Sequence, residues 1–139
     1  MKRSKLFIDT GAWIALMSTS DQHHKKARHF FEQLDFSITR ITSSCVIAET
    51  YTWLRYREGA IYAQRFLDII NHSKANRALD VIDVDTDTRE LAEQILLDLA
   101  DQRLSYTDAV NLAIMKKEQI QQVFGFDQSF YHTEMEIVP

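Results

Sequence analysis

Apolar residues along this chain alternate between two spacings. Leu6-Phe7-Ile8 is an unbroken triplet within residues 5–9, which reads as a short buried strand ending in an acid. After Thr10-Gly11, the run Ala12-Trp13-Ile14-Ala15-Leu16-Met17 reads as a helix start. A second helix is expected from residue 21 to about 34, and a short strand near Ile41. Ser43-Ser44 offers N-caps for a helix over residues 45–57, and Gly59 breaks it. Ala63, Phe66, Leu67 and Ile70 form the stripe of the next helix. Residues 79–84 alternate as a strand should. Leu91, Ala92, Ile95, Leu96 and Leu99 mark another amphipathic helix, and Ser105 opens one more to about residue 119. Residues 123–126 read as a strand that ends in Asp127, and residues 136–138 as a final edge strand. Strands separated by helices imply an α/β sandwich with a largely parallel sheet. Ligands of such sheets sit at the carboxyl ends of the strands, where this reading places Asp9 and Asp127.

The chain has 139 residues, 45% of them hydrophobic, and is read as a single domain over 1–139. With three glycines and one C-terminal proline it has no linker-like or repeated stretch. The lone Cys45 excludes an internal disulfide and a cysteine-rich zinc site, and suits a reducing cytoplasm. Met1-Lys2-Arg3-Ser4-Lys5 has the charge of a signal-peptide start, but Asp9 interrupts the apolar segment too early. No apolar run approaches a membrane span. The net charge of −4 changes the picture, because a protein that binds RNA by charge alone is basic. Either nucleic acid is not the substrate, or basic patches and bound cations offset a concentrated acidic site.

Four acids are candidates for such a site. Asp9, between an apolar strand and a helix, suits an N-cap as well as a catalytic role. Asp9-Thr10-Gly11 also spells the aspartic-protease triplet, but the helical sequence after Gly11 argues against that all-β fold. Glu49 has Cys45, Val46, Thr52 and Trp53 as helical neighbours, so it is expected to point inward as a site residue; the alternatives are an ion pair with an arginine such as Arg55 or Arg57, or a partly exposed helix edge. Asp108 stands at capping-box spacing from Ser105, and Asp127 suits a turn as well as a site. Thr107 adds a hydroxyl beside Asp108. Convergent carboxylates repel unless cations neutralise them, and an all-oxygen cluster selects Mg²⁺ or Mn²⁺ over zinc. Such ions lower the pKa of a bound water and stabilise both oxygens of an in-line displacement at phosphorus.

Other features read more plainly. The basic run His23-His24-Lys25-Lys26-Ala27-Arg28-His29 suits a solvated helix face or contacts to RNA phosphates, not a histidine metal site. Trp13, Trp53 and Tyr56 suit a core or a dimer interface, and Lys116-Lys117 the basic last turn of a helix.

Phe7-Ile8-Asp9-Thr10, Val46-Ile47-Ala48-Glu49, Leu104-Ser105-Tyr106-Thr107-Asp108-Ala109 and Phe126-Asp127-Gln128-Ser129-Phe130 together resemble the PIN domains. Within that family they are similar to the VapC-type toxins of prokaryotic toxin–antitoxin pairs. Order and spacing match across essentially the whole chain. The resemblance implies a three-layer, Rossmann-like α/β/α sandwich and a metal-dependent endoribonuclease. It further implies that Asp9, Glu49, Asp108 and Asp127 hold Mg²⁺ (or Mn²⁺), assisted by Thr10 or Thr107. The implied partners are an RNA substrate and a small antitoxin protein; a homodimer stays open. One departure is Gly125, where the family often has a small hydroxyl residue. The expectation is therefore a cytoplasmic endoribonuclease, the toxin of such a pair. Its rival is a catalytically weak PIN-fold module acting through a partner protein, and a more remote one is another acid-clustered phosphatase or nuclease.

Overall fold

A computed structural model of the protein describes residues 4–127 and 135–139. Strand β1 (Lys5–Ile8) leads through Asp9 into α1 (Thr10–Met17) and α2 (His24–Glu32). Then come β2 (Thr39–Ser43), α3 (Ser44–Arg57), α4 (Ala60–Ala75) and β3 (Asp80–Ile82). The chain continues with α5 (Thr86–Asp98), α6 (Tyr106–Lys117), β4 (Gln122–Phe124) and β5 (Glu136–Val138). The sheet order is β3-β2-β1-β4-β5, and every pairing is parallel. The expected α/β architecture is therefore present, with the edge strand β5 in place.

The topology says where a site belongs. From β1 the chain steps outward to β2 and β3, then crosses back to place β4 on the other side of β1. Right-handed crossovers put α1–α4 on one face and α5–α6 on the other, giving the α/β/α sandwich. The order reverses between β1 and β4, and a crevice opens beyond their carboxyl ends at such a switch point. The core fills both faces with Phe7, Ile8, Leu54, Phe66, Ile114 and Phe124, all fully buried or nearly so. Helix α6 is buried without a break from Ala109 to Met115, and Asn111 is the one polar side chain in that stretch.

Local chemistry explains the boundaries. Ser43 caps α3 by accepting the Val46 N–H, as its position suggests. Gly59, at φ 115°, separates α3 from α4 in a conformation that other residues resist. Two ends differ from expectation. Helix α2 starts at His24 rather than residue 21, because the Asp21 carboxylate accepts the His23 N–H in a turn before the helix. Strand β4 stops at Phe124, two residues early, so Asp127 lies in the loop beyond it and not at a strand end. There Gly125 N–H still bonds Val138 O at 3.2 Å, after which the chain turns away and the Phe126 ring packs elsewhere.

Candidate active site

Asp9 leaves the end of β1 with its backbone N–H bonded to Phe124 O of β4, 3.0 Å away, so it sits in the crevice between the two strands. Only 7% of it is exposed. Its Oδ1 accepts the Thr10 N–H at 2.8 Å, so it does cap α1. The same oxygen faces Nδ2 of Asn111 at 3.4 Å, and Asn111 Oδ1 accepts the Ser43 hydroxyl at 3.1 Å. A carboxylate only accepts, so Asn111 must present its amide nitrogen to Asp9 and its oxygen to Ser43. Asn111 thus ties α6 to β1 and to the start of α3. It stands three residues after Asp108 on the same helix, and a lone polar residue in an apolar helix was the signal available for it.

Gly125 meets Asp9 from the other side. A Cβ there would stand 3.4 Å from Asp9 Cβ and 3.6 Å from its Oδ2, so the missing side chain leaves the carboxylate room. Gly11 lies near the same loop, since a Cβ on it would stand in ordinary contact with the Phe126 nitrogen at 3.8 Å. The loop that carries Asp127 therefore runs against the first turn of α1.

Asp108 is half-buried at the start of α6. It completes the capping box, its Oδ2 accepting the Ser105 N–H while Ser105 Oγ accepts its own N–H, both at 3.1 Å. Burial pushes its carboxyl above the ordinary range; the Ser105 hydrogen bonds oppose this, and the charges of Asp127 and Glu49 push it further up. Asp127 and Glu49 are thus both near enough for their charges to act on Asp108. Asp9 joins them through Asn111, one helical turn along.

Glu49 corrects the sequence reading. It is exposed, because α3 buries Val46, Thr50 and Leu54 and so turns Glu49 out of the core. Nor do the two arginines pair with it as considered: Arg55 lies over the Tyr51 ring and Arg57 over Trp53. Glu49 instead opens onto a cleft of about 670 Å³ lined also by Thr10, Cys45, Ala48, Thr52, Trp53 and Thr107. Thr10 is 9% exposed, and its hydroxyl finds no hydrogen-bond partner among the described residues. Burial first, and then the Glu49 charge, raise the Cys45 thiol. Asp127 is exposed, in the loop after β4. Trp13 is core, with its Nε1–H on Thr42 Oγ1 at 3.2 Å, whereas Tyr56 is 82% exposed. Gln128, Ser129 and Phe130, part of the last matching stretch, lie outside the described residues. Among the described residues, no three His, Cys, Asp or Glu side chains stand close enough as placed to hold a metal ion. No described helix is long and apolar enough to cross a membrane.

Comparison with known proteins agrees with the fold. The PIN domain family model matches residues 6–135. The 23S rRNA-specific endonuclease VapC20 of Mycobacterium tuberculosis is 30% identical over 125 residues, covering 90% of this chain and 91% of the relative. The crystal structure of that protein, described as a sarcin–ricin loop cleaving toxin, superposes with a TM-score of 0.85 at 29% identity, covering 96% of this chain and 99% of the other. The VapBC2 complex of Rickettsia felis, bound to a promoter DNA fragment, shares the fold with a TM-score of 0.72 at 14% identity, covering 96% and 97%.

Proposed function

The chain belongs to the PIN-domain family, and from that premise we propose that it is a Mg²⁺- or Mn²⁺-dependent endoribonuclease, the toxin of a toxin–antitoxin pair, acting on structured ribosomal RNA. The observation that carries the reading is the crevice at the β1/β4 switch point: it holds buried Asp9, and Asp108 at the start of α6 has its carboxyl raised first by burial and further by the charges of Asp127 and Glu49. Repulsion of this kind is what a bound cation relieves. The donors are all oxygen, which fits a hard divalent ion, and the buried, unpartnered Thr10 hydroxyl supplies one more. Asp9, Glu49, Asp108 and Asp127 would hold the ion, with Thr10 and Thr107 assisting. Bound there, it would supply an activated water and charge stabilisation at phosphorus.

The chain's own residues do the rest. Asn111 and the Thr10 N–H fix the direction of the Asp9 carboxylate, while the Ser105 N–H takes Oδ2 of Asp108 and so orients its other oxygen. Trp53 and Thr52 wall the cleft beside Glu49. The antitoxin would be a small protein that buries apolar side chains on this chain and sets an arginine or lysine beside the acids. A separate apolar groove, lined by Leu16, Met17, Phe31 and Ile69 among others, suits the first part of that role.

The test is cleavage of a sarcin–ricin loop transcript with Mn²⁺ and with chelator. Asp9→Asn, Glu49→Gln and Asp108→Asn should each abolish it while the melting transition stays cooperative. If any two of them cleave at the wild-type rate, or if the wild type is inert and harmless on expression without a partner, the binding-module reading replaces this one.

A further inference from the structure

The basic run at the start of α2 is not explained by the acid cluster, and neither is the histidine that opens it. An N-cap position favours Ser, Thr, Asp or Asn, whose side chains accept a backbone N–H. His23 occupies that position and makes no capping hydrogen bond. The Asp21 carboxylate accepts its backbone N–H at 2.8 Å, which fixes the turn, while the imidazole takes no part in capping.

The imidazole lies flat on the Phe126 ring, with centroids 4.2 Å apart and planes within 1°. Phe126 meets Phe124 edge-on at 6.2 Å, and Phe124 meets Phe30 at 4.7 Å. Because Phe30 is again on α2, the four rings form a clamp that starts and ends on one helix and holds the loop after β4 between. The clamp has a fixed base. His24 donates from Nδ1 to Ala15 O at 2.7 Å, tying the same turn to α1. The Phe126 backbone passes close to Gly11 in the first turn of α1, beside Asp9.

Asp127 is the residue next to Phe126. It is exposed and lies beyond the end of β4, where the ladder with β1 no longer holds the chain. We infer that His23 is a positioning residue that acts through its stack on Phe126 to hold Asp127 toward Asp108 and Glu49. The inference rests on the nuclease reading above. The stack itself asks for a flat ring at position 23 and not for a charge, so it distinguishes this role from a phosphate contact by the basic run.

The experiment compares wild type, His23→Ala and His23→Phe by calorimetric titration with Mn²⁺ alone, by kcat and KM on the sarcin–ricin transcript, and by melting in chelator. Loss of an outer partner of a ligand typically costs about 10- to 100-fold in metal affinity or activity. His23→Ala should therefore weaken Mn²⁺ binding and lower kcat by roughly 10-fold or more, with KM little changed, and His23→Phe should restore both. Equal losses in both variants, confined to KM, would make His23 an RNA contact and overturn the inference. So would a lower melting temperature with unchanged Mn²⁺ affinity and kcat, which is a purely structural role. A wild type that neither binds Mn²⁺ nor cleaves sinks the nuclease reading and this one together. A wild type that does both, matched by His23→Ala, sinks this one alone.

Discussion

Asn111 offers the sharpest test of how the crevice is built. It is fully buried, and its two side-chain hydrogen bonds run to Ser43 Oγ at 3.1 Å and to Asp9 Oδ1 at 3.4 Å. The second bond is long and adds little to stability by itself, though it bears on the direction of the Asp9 carboxylate. The first dominates, because Asn111→Ala leaves the Ser43 hydroxyl proton with no acceptor in a dry interior. An orphaned buried donor costs about 1–3 kcal/mol. For a domain of this size that is a melting-temperature drop of roughly 4–12 °C. Activity should fall about 10-fold or more, since Asp9 loses one of the groups that aim it. Asn111→Asp separates the two effects. It sets a carboxylate against Asp9, so in chelator it should melt below Asn111→Ala at neutral pH. Protonation relieves that repulsion, so the deficit should shrink as pH falls, and excess Mn²⁺ should shrink it too. The assays are thermal melts with chelator and with Mn²⁺ at several pH values, beside transcript cleavage. If Asn111→Ala melts and cleaves with the wild type, Asn111 aims nothing and the proposed link between Asp108 and Asp9 is wrong.

Asp108→Asn keeps an oxygen for the Ser105 N–H but removes the charge that Asp127 and Glu49 repel. A carboxyl raised in the folded state is destabilising once ionised, and that stability is lost as pH rises through its folded pKa. In chelator at neutral pH the variant should therefore melt above wild type, with the gap closing as pH falls; Asp108→Ala, which also loses the cap, should give back about 1 kcal/mol. Gly125→Ser places its Cβ in ordinary contact with Asp9 and should stay folded and active, whereas the branched Gly125→Val should crowd the carboxylate and lose cleavage; equal activity of the two would refute the close packing. Asp85, the α5 cap, is pulled down to about 2 by the hydroxyl and N–H of Thr88 and then by Lys117. Its contribution should persist above the ordinary aspartate range and vanish as pH falls toward 2, so melts of wild type and Asp85→Ala should converge there.

How much of this could be read from residues alone depends on whether the signal was local. The strand ending in Asp9, the Ser43 cap and the Ser105–Asp108 box are written in neighbouring residues, and each stands where expected. Glu49 was placed on the right helix but facing the wrong way. Cys45, Val46, Thr52 and Trp53 are apolar enough to suggest an inward face, yet the buried line is Val46, Thr50 and Leu54. A threonine on that line weakened the stripe, and Cys45 and Trp53 are half-buried flanks of a cleft, where an exposed acid can still work. The loop carrying Asp127 was harder still. Phe124 and Phe126 look alike in sequence, but one ends a strand on the core and the other leaves it to lie on His23. Nothing near Phe126 announces that contact, because the ring that receives it comes from a helix at the other end of the chain. The acids are thus legible one at a time, while their direction depends on Asn111, Gly125 and His23, whose roles exist only once the crossover has brought β4 beside β1.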